Sequence, residues 1–123
     1  MSEFADQCCL FHWIRLNEGK YPQLRYIFHI PNGGWRHPAT GMKLSQAGVR
    51  PGVPDIFAPL PTDKYHGLWI ELKVKGNKPT DNQLRWICDL SNFGYQVKVC
   101  YGWQEAIKTI IDYLGLPMGL LED

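Results

Sequence analysis

The sequence has almost no net charge, no internal repeat and no low-complexity stretch. It also lacks an apolar run long enough to cross a membrane, and its N-terminus lacks the basic start and apolar segment of a secretory signal. These absences argue against membrane-spanning, secreted and fibrous classes and predict a soluble, cytoplasmic protein. A cysteine pairing pattern is lacking as well. Cys8, Cys9, Cys88 and Cys100 form no C-x-x-C pair, and two of them are adjacent, which is a poor start for a disulfide framework. Cys8, Cys9 and His12 lack the second ligand pair that a structural zinc site needs. Four free thiols, packed mostly as small apolar side chains, are expected.

Bulk is plentiful by contrast. Five Trp, six Tyr and five Phe in 123 residues can fill one core, and the chain is too short for two domains of ordinary size, so a single domain over 1–123 is expected. The net charge of +1 hides a pattern: residues 36–85 carry eight basic against four acidic side chains, and the remainder from Trp86 carries two against five. A basic middle suits a polyanionic partner, although exposed loops also carry Lys and Arg with no partner at all.

Periodicity predicts the element order α-β-β-β-α-β-α. Ser2 caps a first helix to about Asn17, with Phe4, Cys8, Phe11 and Ile14 recurring along one face. Residues 25–30 read as a first strand, broken by Pro31-Asn32-Gly33-Gly34. The stretch 35–52 reads mostly as loop, with room for a short helix near Ala39–Ala47. Val53–Ala58 and Leu68–Val74 form a hairpin pair, with Pro54 tolerated only at a strand's beginning. Thr80 opens a helix to about Phe93 that turns Leu84, Ile87, Cys88 and Ser91 inward. Tyr95–Tyr101 is a fourth strand and Trp103–Leu114 a last helix, closed by Gly115 and Pro117. A three-stranded meander, a helical crossover and a fourth strand make an α/β fold with a mixed central sheet flanked by helices. The apolar Leu114–Leu121 tail is candidate interface material.

The candidate chemistry sits in Gly52-Val53-Pro54-Asp55 and, sixteen residues past Asp55, Glu71-Leu72-Lys73. On a strand Glu71 and Lys73 point to one side, ~6–7 Å apart, while Leu68, Ile70 and Leu72 point to the other. A lone E-x-K is weak, since roughly 0.4 are expected by chance in a chain of this length. The hairpin strengthens it by carrying Asp55 toward Glu71. Two carboxylates, with the backbone carbonyl of Leu72 between Glu71 and Lys73, are the hard oxygen donors that Mg2+ or Mn2+ prefers. A cation there would polarise a phosphodiester, and Lys73 could position water or offset developing negative charge. The alternative is a solvated Glu71–Lys73 pair worth at most ~1 kcal/mol.

Further motifs accompany the core: Gly48-x-x-x-Gly52-x-Pro54-Asp55, Ile30-Pro31-Asn32-Gly33-Gly34 upstream, and Gln83 downstream. With Glu71-x-Lys73, this set resembles the virus-type replication–repair nuclease (VRR-NUC) family of the PD-(D/E)xK superfamily, over about Glu3 to Leu114. The resemblance implies a restriction-endonuclease-like core and Mg2+- or Mn2+-dependent hydrolysis of DNA. For stand-alone phage and bacterial members it implies a homodimer acting on branched DNA such as four-way (Holliday) junctions, here as a phage or prophage protein in a bacterial host. By the same resemblance Asp55 and Glu71 match the metal ligands, Lys73 the catalytic lysine and Gln83 the helix glutamine near the site. Glu3 and Gln7 match an E-x-x-x-Q pair in the first helix, with Glu3 reaching the metal directly or through water.

Each carry-over has a competing reading. Thr80-x-x-Gln83 is also a capping box, and Glu3 also suits the first-turn dipole. Asn32, Arg36 and Lys43, before the site, and Lys75 and Lys78, after it, are candidate DNA contacts of the kind that confer affinity without sequence preference. Asn32-Gly33 is equally turn chemistry. Trp69 shares the face of Glu71 and either lines the site or packs beside it. His29, His37 and His66 are too dispersed to argue for a general base. Two other functions remain open: a monomeric nuclease for flaps or single strands, and a DNA-binding module without catalysis.

Overall fold

The computed structural model describes residues 1–31, 37–117 and 119. Asn32 and Arg36, the glycines beside them and the tail from Leu120 lie outside the described residues. Helices α1 (Glu3–Asn17), α2 (Pro38–Gln46), α3 (Asp81–Asn92) and α4 (Trp103–Leu114) accompany strands β1 (Phe28–His29), β2 (Ile56–Ala58), β3 (Leu68–Lys73) and β4 (Gln96–Tyr101). The sheet order is β1-β2-β3-β4. The first three strands pair antiparallel and β4 runs parallel to β3. This is the expected mixed sheet, because α3 carries the chain back so that β4 starts at the same end as β3.

Alternation in β2 and β3 separates the two faces. Ile56, Ala58, Leu68, Ile70 and Leu72 face a core completed by Leu10, Trp13 and Ile14 of α1 and by Ala106, Ile107, Ile110 and Ile111 of α4. Burial of this many large aliphatic side chains, each worth roughly 1.5–3 kcal/mol, is the main support of the fold. On the opposite face Phe57 stacks on Trp69 with ring centroids 4.2 Å apart.

Several expectations change at this level. The stretch 25–30 is mostly not strand: Pro22, with its fixed φ, starts a 3-10 turn over Pro22–Tyr26 and leaves only Phe28–His29 to pair. Strand two begins at Ile56 rather than Val53, since Pro54 has no N–H for the ladder. Residues 38–46 form a full helix, with the His37 ring accepting the Ala39 N–H at 3.2 Å.

Two helices are also rotated from the sequence reading. α1 buries Asp6, Leu10, Trp13 and Ile14, leaving Phe4 75% exposed and Cys8 exposed. Asp6 explains the choice, because its Oδ1 accepts the Trp103 N–H at 3.2 Å. It caps α4, whose own N-cap is Gly102 with no side chain to offer. α3 buries Leu90 and half-buries Gln83, Trp86 and Ile87, while Leu84 is 48% exposed and Cys88 and Ser91 face outward. Of the tail, Leu116 joins the core, and Leu114 packs half-buried against it.

Candidate active site

The hairpin register sets the site. Ile56 pairs with Ile70, so one residue further along Asp55 stands opposite Glu71, on the sheet face away from the core. Pro54 then lies opposite Leu72 and has no N–H to give. The Leu72 carbonyl is thereby left without a ladder donor from Pro54, while the Leu72 N–H donates to Asp55 Oδ2 at 2.8 Å. Amide and carbonyl of one strand residue point to the same neighbour, so the Leu72 carbonyl also faces the β2 edge, beside the carboxylates. Asp55 is further held through its own carbonyl, which accepts the Ile30 N–H at 2.7 Å and the His29 ring at 3.0 Å. A carbonyl only accepts, so His29 Nδ1 carries the proton in that bond. The histidine dismissed on spacing thus braces the aspartate. No sequence signal short of the β1–β2 pairing could have revealed it.

Glu71 is 2% exposed and Lys73 8% exposed, so the solvated-pair alternative does not hold. Lys73 Nζ lies 3.8 Å from Glu71 Oε1. Gln83 Nε2 donates to that same oxygen at 2.9 Å, while Gln83 Oε1 accepts the Thr80 N–H, also at 2.9 Å. The capping box is complete, with the Gln83 N–H on Thr80 Oγ1 at 3.1 Å. The cap and a contact with Glu71 therefore coexist: Thr80 occupies the amide oxygen and leaves the amide nitrogen for Glu71.

Glu71 Oε2 is buried without a hydrogen-bond partner among the described residues. Desolvation pushes the Glu71 carboxyl up from 4.5 to about 8, and the Asp55 charge adds to the rise while Lys73 opposes it. Burial likewise raises Asp55, against the lowering effect of the Leu72 N–H; Glu3 raises both groups electrostatically. Crowded, desolvated carboxylates of this kind are costly unless a cation accompanies them. Asp55, Glu71 with its unpartnered oxygen, and the Leu72 carbonyl fit a hard divalent ion. Among the described residues no three His, Cys, Asp or Glu side chains form a complete ligand set. Glu3 is half-buried at the start of α1, near enough to be felt electrostatically by both carboxyls, with half-buried Gln7 one turn along.

The remaining candidates are looser. Lys43 is exposed on α2, and Lys75 and Lys78 are exposed on the connection from β3 to α3. Trp69 is half-buried against Phe57, two residues before Glu71. A larger groove of about 770 Å³ lies by α4 and β4, lined by Lys98, Glu105, Lys108 and Asp112 among others, and contains none of the candidate residues.

The loop that delivers Asp55 explains the glycine spacing. Gly48 and Gly52 have φ of 106° and 93°, a region that side chains rarely adopt. A Cβ on Gly52 would sit 2.9 Å from Trp86 Cδ1 and 3.0 Å from Asn82. Asn82 Nδ2 donates to the Pro51 carbonyl at 3.0 Å, pinning the loop to α3.

Comparison with known proteins agrees with this geometry. The VRR-NUC domain family matches residues 13–104. A solved structure of a VRR-NUC domain protein superposes with a TM-score of 0.79 at 29% identity, covering 95% of this chain and 91% of that one. A search of curated protein sequences finds no match.

Proposed function

The chain belongs to the VRR-NUC domain family, a family of nuclease domains, and on that footing we propose that it is a metal-dependent DNA endonuclease acting on branched DNA as a homodimer. The observation that carries the reading is the cluster of buried Glu71 and Lys73 with half-buried Asp55, one Glu71 oxygen having no hydrogen-bond partner among the described residues. Mg2+ or Mn2+ held by Asp55, Glu71 and the Leu72 carbonyl, with Glu3 acting through water, would supply Lewis acidity toward a phosphodiester.

The chain's own groups do the rest. Gln83 holds the Glu71 carboxylate through Oε1, and Oε2, without a partner among the described residues, is left for the cation. His29 and the Ile30 N–H hold the Asp55 backbone. Lys73, largely shielded from water, offsets negative charge gathering on phosphorus, a contribution typically worth ~10²–10³ in rate for one preorganised donor. Lys43, Lys75 and Lys78, with Asn32 and Arg36, are the proposed backbone contacts and make binding fall with salt.

The outward face of α1 supports the homodimer. Phe4 and Leu16 are exposed there, and Cys8, Cys9, His12 and Leu16 line a shallow apolar groove with Trp13 and Trp103. A helix apolar on both faces asks for a second partner, and symmetric cleavage of a junction needs two sites about a twofold axis. Among the described residues no helix is long and apolar enough to cross a membrane. That is compatible with action in the cytoplasm of a phage-infected or lysogenic cell.

The test is cleavage of a four-way junction, a 5′ flap and a single strand with Mg2+, with Mn2+ and with chelator, alongside a solution mass. Paired cuts in the junction by a dimer support the proposal, and abolition by Asp55→Ala and Lys73→Ala assigns the site. Flap or single-strand cutting by a monomer selects the other nuclease reading. Binding that is unaffected by Lys73→Ala, with no cut in any DNA, selects the non-catalytic module.

A further inference from the structure

A cleft of about 460 Å³ adjoins the candidate site, and Ile30, Val49, Arg50, Val53, Trp69 and Trp86 supply most of its wall. Its placement is systematic. Val53 precedes Asp55 by two residues. Trp69 precedes Glu71 by two on the same strand face, a separation of ~6–7 Å. Trp86 follows Gln83 by one helical turn, ~5–6 Å between Cβ atoms. Ile30 donates its N–H to the Asp55 carbonyl. β3, α3 and the segment leading into Asp55 therefore each deliver both a site residue and a wall of the cleft.

The wall chemistry is specific as well. Two indoles and three aliphatic side chains make the cleft mainly apolar, and exposed Arg50 brings one positive charge. Trp69 Nε1 is a buried donor without a partner among the described residues. A phosphate would need several cations or N–H groups, which these walls do not offer. A flat heterocycle suits them better: π-faces for the indoles, ring acceptors for an N–H, and an attached phosphate for Arg50. Gly52 also belongs to this construction, since its missing Cβ lets Trp86 lie against the loop that ends in Asp55.

We infer that this cleft receives the unstacked base of the nucleotide flanking the scissile phosphate. The inference deepens the nuclease reading and rests on it. It also supplies a physical source of substrate choice. Drawing a base out of a continuous duplex costs a few kcal/mol, and least where the nucleotide is already unpaired or at a branch. Stacking on an aromatic side chain returns ~1–3 kcal/mol per base whatever the base, so the preference is for DNA shape and not for sequence.

The test pairs a change in the protein with a change in the DNA. Junction DNA is made with 2-aminopurine, or with a reduced abasic residue, at each nucleotide flanking the cut, and is offered to wild type, Trp86→Leu and Trp86→Phe. Fluorescence is read on bound DNA in the Lys73→Ala background, so that no cleavage is needed. The expected result is a fluorescence change at one flanking position only, lost in Trp86→Leu and retained in Trp86→Phe. Cleavage of intact DNA should fall ~10-fold in Trp86→Leu, but abasic DNA should be cut equally by both proteins, because the stacked base is already gone. Retention by Trp86→Phe and an unchanged unfolding midpoint exclude simple misfolding. Independent, multiplying effects of the two changes, or no fluorescence change at any flanking position, would overturn the inference. If wild type binds DNA but cuts none, the nuclease reading falls while the fluorescence arm still decides the cleft. If it binds none, both fall.

Discussion

Replacing a candidate metal ligand should make the metal-free protein more stable, by a margin that grows as pH rises from about 4.5 to about 8. The Glu71 carboxyl is raised from 4.5 to about 8, chiefly by burial and then by Asp55. Between those two values the folded protein keeps the Glu71 proton and the unfolded chain has lost it. The unfolded state then binds fewer protons, so stability falls as pH rises. At about 1.4 kcal/mol per pH unit, the shift corresponds to about 3–5 kcal/mol. That contribution is fully present below pH ~4.5 and fully lost above pH ~8. Glu71→Gln removes the titration while keeping shape and an oxygen for the Gln83 amide. In chelator at pH 8 the variant should exceed wild type by about 3–5 kcal/mol, and at pH 4.5 the two should agree within ~1 kcal/mol. For a domain of this size the alkaline gap is a rise in Tm of ~10 °C or more. The assay is urea unfolding of both proteins from pH 4.5 to 8.5, with Tm alongside. Parallel curves, with no divergence on the alkaline side, would refute the account of Glu71 as a strained, desolvated carboxyl.

Mg2+ or Mn2+ should reverse that order, because binding expels the proton: wild type gains midpoint stability with metal, more at pH 8 than at pH 6, and Glu71→Gln gains little, which a thermal-shift titration reads directly. Lys73→Ala should cut less by ~10²–10³ on any DNA the wild type cleaves, with DNA affinity little changed, read by single-turnover cleavage beside a binding isotherm. Asp6→Ala should cost ~1–2 kcal/mol by uncapping α4, seen as a lower urea midpoint, with Asp6→Asn losing less; equal stability would remove the cap assignment. Gly52→Ala should destabilise by ~1–3 kcal/mol through strain at φ 93° and contact with Trp86, and should lower cleavage with it.

Much of the scaffold was legible because its signals are local and mutually consistent. Ser2, Thr80 and Gly115 mark helix ends by their own chemistry, and α4 runs from Trp103 to Leu114 as its periodicity requires. β3 was readable because its two faces differ so sharply: aliphatic residues one way, Trp69, Glu71 and Lys73 the other. The helix faces were harder. α1 is apolar on both sides, so periodicity offers two stripes, and the choice is made by Asp6 reaching Trp103, far away along the chain. α3 turned for a similar reason: Gln83 is drawn to Glu71 and Trp86 to Gly52, while Leu84 is left outside. The bracing role of His29 was not legible because it is fixed by a pairing only two residues long.

Gln83 shows why the two readings a sequence offers for one residue need not compete. A primary amide has one acceptor and one donor end, and each reading claimed a different end. The cap takes the oxygen, which settles the amide's orientation; the nitrogen is then aimed at Glu71 Oε1, and only Oε2 of that carboxylate remains to be satisfied. The helix terminus thereby positions the carboxylate that faces the proposed cation, and its stability and that of the site are linked through a single side chain. Gly52 joins loop and cleft in the same way, since the absence of one Cβ both permits the turn into Asp55 and seats Trp86. In a chain of 123 residues, economy of this sort is what allows the residues that build the fold to orient its chemistry as well.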